Sequence, residues 1–163
     1  MGYIASSPMT PEAFTSLIAT VTSRIQGRPL DGPLEEDLNT VFPASGAQYL
    51  TMLDACRRAI AAGWMCNREA GGIKYGRVIK PGPQTHGFSV DVVDMPPIAG
   101  PHHRHPNGEI DLIMPLAAGA KFDGREAGWL VYGPGSVHSP TVTHGRALVL
   151  YLLPGGAIEF TKP

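Results

Sequence analysis

The chain has 163 residues, 43% hydrophobic and 17% charged, which fits one folded domain and excludes an intrinsically disordered one. Thirteen Lys and Arg against fourteen Asp and Glu leave a formal charge of −1, and with no basic run a nucleic-acid partner is not expected. The longest apolar run, Ala147 to Leu153, is far short of the ~20 residues of a membrane span, so no membrane partner is expected either. No basic residue precedes Arg24, unlike the start of a secretory signal. Met1-Gly2-Tyr3-Ile4-Ala5-Ser6 fits the loose N-myristoylation pattern, but no polybasic stretch or second acyl site accompanies it. Two cysteines, Cys56 and Cys66, are too few for a disulfide scaffold, so the expected compartment is the reducing cytoplasm.

Three helices are predicted first. Thr10 caps Pro11 to Arg24, where Phe14, Leu17, Ile18, Val21 and Ile25 form one apolar stripe. A short second helix starts at Asp31, with acids in its first turn, and ends before Pro43. Ser45 to Ala62 forms the third, with Tyr49, Met52, Leu53, Cys56 and Ile60 facing inward and Gly63 as its stop. From Gly72 onward the apolar period changes from 3.6 to 2, with Gly and Pro at short intervals. Strands are predicted at Ile73–Lys80, Phe88–Met95, His102–His105, Glu109–Leu116, Gly128–Gly133, Ser139–Thr143, Ala147–Leu153 and Ala157–Phe160. Twenty glycines and sixteen prolines also suit a turn-rich β fold better than a bundle. The expected fold is mainly β, a closed or sandwiched antiparallel sheet. Residues 1–68 would be a helical cover of the same domain as the β unit at 69–163.

Chemistry concentrates at Gly100-Pro101-His102-His103-Arg104-His105-Pro106-Asn107-Gly108-Glu109. Residues two apart on a strand share a face, so His103 and His105 project side by side. Pro106-Asn107-Gly108 is a turn that brings Glu109 back near them. His-x-His-x-x-x-Glu is expected only roughly 0.01 times in such a chain. Two imidazoles and a carboxylate suit a divalent transition metal, Fe, Mn, Zn, Ni or Co, and make a poor calcium site. A second stretch, Gly128 to His138, runs a strand into the Pro134-Gly135 turn and then one further imidazole, His138.

These two stretches resemble the paired motifs of the cupin superfamily of small β-barrel metalloproteins. The resemblance implies a jelly-roll-like barrel behind the N-terminal helices, with His103, His105, Glu109 and His138 as metal ligands. It departs from the cupin pattern where the glycine after Glu109 arrives late, at Gly119, and where Pro134 and Gly135 are adjacent. His102 competes as a ligand but points away if His103 points in, and His144 is a proton carrier or a turn residue. Pro106 to Leu116, Gly128-Trp129, Tyr132 to His138 and Leu148 to Phe160 further resemble the bacterial 4-hydroxylaminobenzoate lyases. That likeness covers most of residues 70 to 160. It implies conversion of 4-hydroxylaminobenzoate to 3,4-dihydroxybenzoate (protocatechuate) and ammonia in nitroaromatic breakdown, and a homo-oligomer, dimer or larger.

The reaction adds water and releases ammonia without net redox change, and the chain carries no dinucleotide or phosphate-loop motif. Glu109 and Asp111 share a face, so Asp111 is expected as a general acid or base beside the metal, or as a group holding a ligand histidine. A small aromatic acid needs a cation for its carboxylate. Arg77, Arg104, Lys121 and Arg146 are candidates; Arg77 leads, with Tyr75 and Ile79 expected on its face, and Arg104 alternates outward. Tyr132 and Trp129 are expected to flank the substrate ring. The same ligand set also serves Fe(II) dioxygenases, Mn or Zn isomerases and non-catalytic small-molecule binders, and histidines alone can do acid–base work.

Overall fold

The computed structural model describes residues 8–163; the myristoylation-like pattern at 1–6 lies outside them. Helix α1 (Pro11–Ile25) starts where the Thr10 hydroxyl accepts the Ala13 N–H at 3.1 Å. Helix α2 (Gly32–Val41) starts where the Asp31 carboxylate accepts the Leu34 N–H at 3.0 Å. Helix α3 (Ala47–Ala62) begins two residues later than predicted, because the Gly46 N–H closes a turn onto the Pro43 carbonyl at 2.9 Å. It stops at Gly63, which is left-handed at φ +90° and returns its N–H to Ala59 and Ile60.

Eleven strands follow among the described residues. They are β1 (Arg68–Ala70), β2 (Ile73–Ile79), β3 (Phe88–Met95), β4 (His103–His105), β5 (Glu109–Pro115), β6 (Lys121–Phe122), β7 (Gly128–Tyr132), β8 (Ser136–His138), β9 (Val142–Thr143), β10 (Ala147–Pro154) and β11 (Glu159–Phe160). The molecule is mainly β, as predicted, with every pairing antiparallel. A large sheet runs β1-β2-β3-β10-β5-β7, and two small ones run β11-β4-β8 and β6-β9. β1 and β6 were not predicted: each is short and charged or mixed, without a run of alternation. Of the strand expected at Ser139–Thr143 only Val142–Thr143 forms, as β9, while β8 lies before the predicted range and was not predicted; Pro140 stands between them. Proline has no N–H to give to a ladder.

The large sheet separates two interiors. On β10, Leu148, Leu150 and Leu152 join Phe14, Ile18, Leu34, Leu38 and Met52 of the helices in one hydrocarbon core. Val149 and Tyr151, on the other face, join Phe122 of β6 and Val142 of β9. The helices therefore share a core with the strands. Helix α2 also guards the sheet's open edge, a place where unpaired backbone groups invite aggregation. Asn39 accepts the Trp129 N–H at 2.8 Å and donates to its carbonyl at 2.9 Å, and Glu35 accepts the Val131 N–H at 2.9 Å. Gly128 makes this approach possible, because a Cβ there would stand 2.9 Å from Asn39 Oδ1.

Candidate metal centre

The ladder between β4 and β8 builds half of the centre by register alone. His103 pairs with His138 and His105 with Ser136, and directly opposed residues project to the same face. Arg104 alternates outward to Glu159, 3.1 Å away. The chain then turns through Gly108, at φ +87°, where a Cβ would come within 2.7 Å of Leu30 and 2.8 Å of the Tyr132 carbonyl. That turn delivers Glu109 at the start of β5. One donor atom from each of His103, His105, Glu109 and His138 lies within 4.8 Å of the others. His105 Nε2 is 3.1 Å from Glu109 Oε2, and His103 and His138 present their Nε2 atoms 3.0 Å apart.

The outer nitrogens of these rings decide what the inner ones can be. His103 Nδ1 faces the Pro101 carbonyl at 3.1 Å, which can only accept, so Nδ1 carries the hydrogen. Ser136 donates its hydroxyl to the Gly133 carbonyl at 2.6 Å, so it accepts from His105 Nδ1 at 2.9 Å. His138 Nδ1 donates to the Asp123 carboxylate at 2.6 Å. In the neutral rings these partners leave the lone pair of all three imidazoles on Nε2, facing inward. Three lone pairs and a carboxylate then converge, and His105 Nε2 and Glu109 Oε2, both buried, have no hydrogen-bond partner. One proton could relieve one pair only; a cation relieves all four groups at once. The donor set, three imidazoles and one carboxylate, suits the divalent ions of Fe, Mn, Co, Ni or Zn.

Electrostatics set the surrounding groups. Burial would raise the Glu109 carboxyl, but in the metal-free protein at acid pH, where the imidazoles take up protons on their inner nitrogens, hydrogen bonds from His103 and His105 and the His105 charge outweigh it and hold it down at about 2. Burial, then the Glu109 charge, push the Asp111 carboxyl well above the usual carboxylate range. Burial would also raise Asp123; hydrogen bonds from His138, Tyr132 and the Thr141 N–H outweigh it and keep the carboxyl low. His103 and Glu109 open onto a cavity of about 470 Å³, within the usual range for a small-molecule site.

The 4-hydroxylaminobenzoate lyase family model matches residues 16–160. The chain belongs to that family. It is 28% identical over 160 residues to the 4-hydroxylaminobenzoate lyase of Nocardioides sp. (strain LMS-CY), covering 93% of this chain and 95% of that one. It is 28% identical over 155 residues to that of Pseudomonas putida, covering 85% and 88%. Among solved structures, it is similar to the DMSP lyase DddQ of Ruegeria pomeroyi DSS-3, with TM-score 0.44, 20% identity and 94% and 98% coverage. It is also similar to a cupin protein of Ralstonia eutropha JMP134, with TM-score 0.43, 13% identity and 57% and 62% coverage.

In this lyase-family chain the remaining predicted residues divide sharply. Trp129 does not face the cavity: it lies in the helix-side core and donates its indole N–H to the Phe42 carbonyl at 3.2 Å. Tyr132 packs on His138, with ring centres 4.6 Å apart, and its hydroxyl is bound to Asp123, so it buttresses the histidines. Arg77 lines the cavity, but its guanidinium grips Asp91 at 3.0 and 3.1 Å and the Gly156 carbonyl at 3.1 Å. Tyr75 shares its face; Ile79 does not, because a bulge after Arg77 turns it toward the helix side beside Val90. Arg146 is paired with Asp94 at 2.8 Å, and Lys121 sits on β6 away from the cavity wall. His102 bonds Thr161 at 2.7 Å, outside the cluster, and His144 is an exposed turn residue at φ +64°. Asp111 touches none of the ligand imidazoles by hydrogen bond.

Several residues escaped the sequence reading. Asp123, not Asp111, steadies a ligand histidine; in sequence it is only the first half of an Asp-Gly turn. Ser136 became visible only through the β4–β8 register. Tyr151, 7% exposed, sits between Asp91 and Asp111 in register and lines the cavity. Its hydroxyl has no partner among the described residues. Its sequence context, an unbroken apolar run, reads as plain core.

Proposed function

We propose that this protein is a metal-dependent lyase of the bacterial cytoplasm that converts 4-hydroxylaminobenzoate and water into 3,4-dihydroxybenzoate and ammonia. The observation that carries this reading is the convergence of three imidazole Nε2 atoms and Glu109 beside a cavity large enough for one aromatic ring. His103, His105, Glu109 and His138 would hold the divalent ion. Bound there, the ion supplies Lewis acidity, which favours departure of hydroxide from nitrogen and makes water more acidic.

The chain's own groups divide the remaining work. Tyr151 offers an unengaged hydroxyl to the reacting oxygen from the cavity wall. Asp111 holds a proton beside Glu109; fully buried and off the cavity wall, it acts through that neighbour rather than by touching substrate. Proton transfers of this type contribute about 10²–10⁴-fold. Val93, Met95 and Leu153 keep much of the wall apolar, which limits the water that could compete at the reactive ring.

The test is anaerobic turnover of 4-hydroxylaminobenzoate by metal-replete protein, with ammonia and 3,4-dihydroxybenzoate both measured. Stoichiometric release of the two without dioxygen is expected. A strict requirement for dioxygen would contradict the proposal and favour a dioxygenase. The Asp111→Asn variant is expected to keep its metal and lose turnover; loss of metal instead would mean that Asp111 serves only to hold the centre together.

A further inference from the structure

We propose that Arg68 is the anion-binding residue of the cavity, taking the carboxylate of a flat aromatic acid at its rim. The inference rests on reading the cavity as the aromatic-acid site and names the group that selects the acid. Three observations carry it.

The first is placement. Arg68 pairs with Tyr75, and Tyr75 pairs with Val93. Opposed residues share a face, so this row continues the sheet's inner face out to its edge strand, and Arg68 joins Tyr75 and Val93 in lining the cavity.

The second is availability. Two arginines line the cavity. Arg77 has its guanidinium taken up by Asp91 and Gly156, whereas Arg68 has no hydrogen-bond or ion-pair partner among the described residues. Three further arginines are engaged outside the cavity, Arg104 with Glu159, Arg125 with Glu35 and Arg146 with Asp94, and Lys74 and Lys121 do not line it.

The third is charge balance and shape. Arg77 and Asp91 neutralise each other, and a divalent ion more than offsets Glu109. Beyond that surplus at the metal, the one unpaired side-chain charge among the described lining residues is the Arg68 guanidinium, whose planar fork fits a carboxylate through two parallel hydrogen bonds. Around it the wall is aromatic. Tyr75 lies opposite, and Phe160, 69% exposed, stands edge-on to His103 with ring centres 5.9 Å apart. An exposed phenylalanine beside a metal-site histidine, in a cavity that a free arginine also lines, fits a ring that carries an anion at one end and a polar group at the other.

The test compares binding of 4-hydroxybenzoate with that of its neutral analogue 4-hydroxybenzamide, by calorimetry on metal-replete protein. The wild type should prefer the acid. Arg68→Met should weaken the acid about tenfold or more while leaving the amide within about twofold. Arg68→Lys should recover part of the loss, since it keeps the charge without the fork. Metal content and melting temperature should not change, which separates an anion-binding role from a structural one. In turnover, KM for 4-hydroxylaminobenzoate should rise far more than kcat falls. Equal binding of acid and amide by the wild type, or an Arg68→Met variant with undiminished preference for the acid, would overturn the inference. Arg68-dependent selectivity without any lyase turnover would leave this subsite standing and remove the proposed reaction; turnover indifferent to Arg68 would do the reverse.

Discussion

The large sheet carries two unlike faces on the same strands. On β5, Ile110, Leu112 and Met114 face the helices, while Glu109 and Asp111 face inward. On β3, Val90 and Val92 go to the helix core while Asp91 lines the cavity. The same two-residue period thus supplies a hydrocarbon anchor and a titratable wall, and a slip of one residue would exchange them. The helices bury one face so firmly that the register of the other is fixed. A polar constellation needs that kind of rigid backing.

Changes on the two faces should fail differently, and the largest effect belongs to the inner face. His138→Ala removes one of four donors and is expected to cut metal affinity more than about 100-fold, with turnover falling in step. Circular dichroism should show the fold intact. On the helix side, Leu150→Ala should destabilise the protein by about 2–5 kcal/mol through the cavity it leaves. Urea unfolding should show this, with metal per folded chain unchanged; a variant that instead lost metal at full stability would break the division between the faces. Asp123→Ala leaves all four donors but frees the His138 ring, so metal affinity should fall about 10–100-fold, read by chelator competition.

Acid sharpens the comparison further. Glu109 titrates lower in the folded protein, at about 2, than in an unfolded chain, near ~4.3. Its contribution to stability is therefore present above the unfolded value and lost as pH falls through the folded one. Metal-free wild type should lose stability between roughly pH 4.3 and 2, and Glu109→Gln should show a shallower loss over that window. The smallest effect is expected from the titratable groups on the helix side. Burial pushes Cys56 and Cys66 up to about 12, so native protein should resist alkylation at pH 8, because the thiolate is the reactive form. Rapid labelling would contradict the packing described for that core.

Much of this was legible in the chain. The Thr10 and Gly63 helix boundaries, the change of period near Gly72 and the grouping of His103, His105 and Glu109 follow from local chemistry, and the cupin resemblance adds His138. The groups that steady or complete the site do not. Asp123 reaches His138 across a loop, Ser136 reaches His105 across a ladder, and Arg68 reaches the cavity from a three-residue strand with no apolar pattern. Such contacts depend on which strands become neighbours and in what register. The reading of Trp129 and Ile79 failed for the same reason: alternation says that two faces exist, but a bulge and a helix packed over one face decide which is which.

The account turns on a cation at the meeting point of His103, His105, Glu109 and His138. Elemental analysis of protein purified without chelator and without an affinity-column metal tests it most directly. One divalent transition-metal ion per chain in the wild type, and almost none after His103→Ala with His138→Ala, is the expected result. A folded wild type free of metal, and unable to take up any of the candidate ions when supplied, would contradict it.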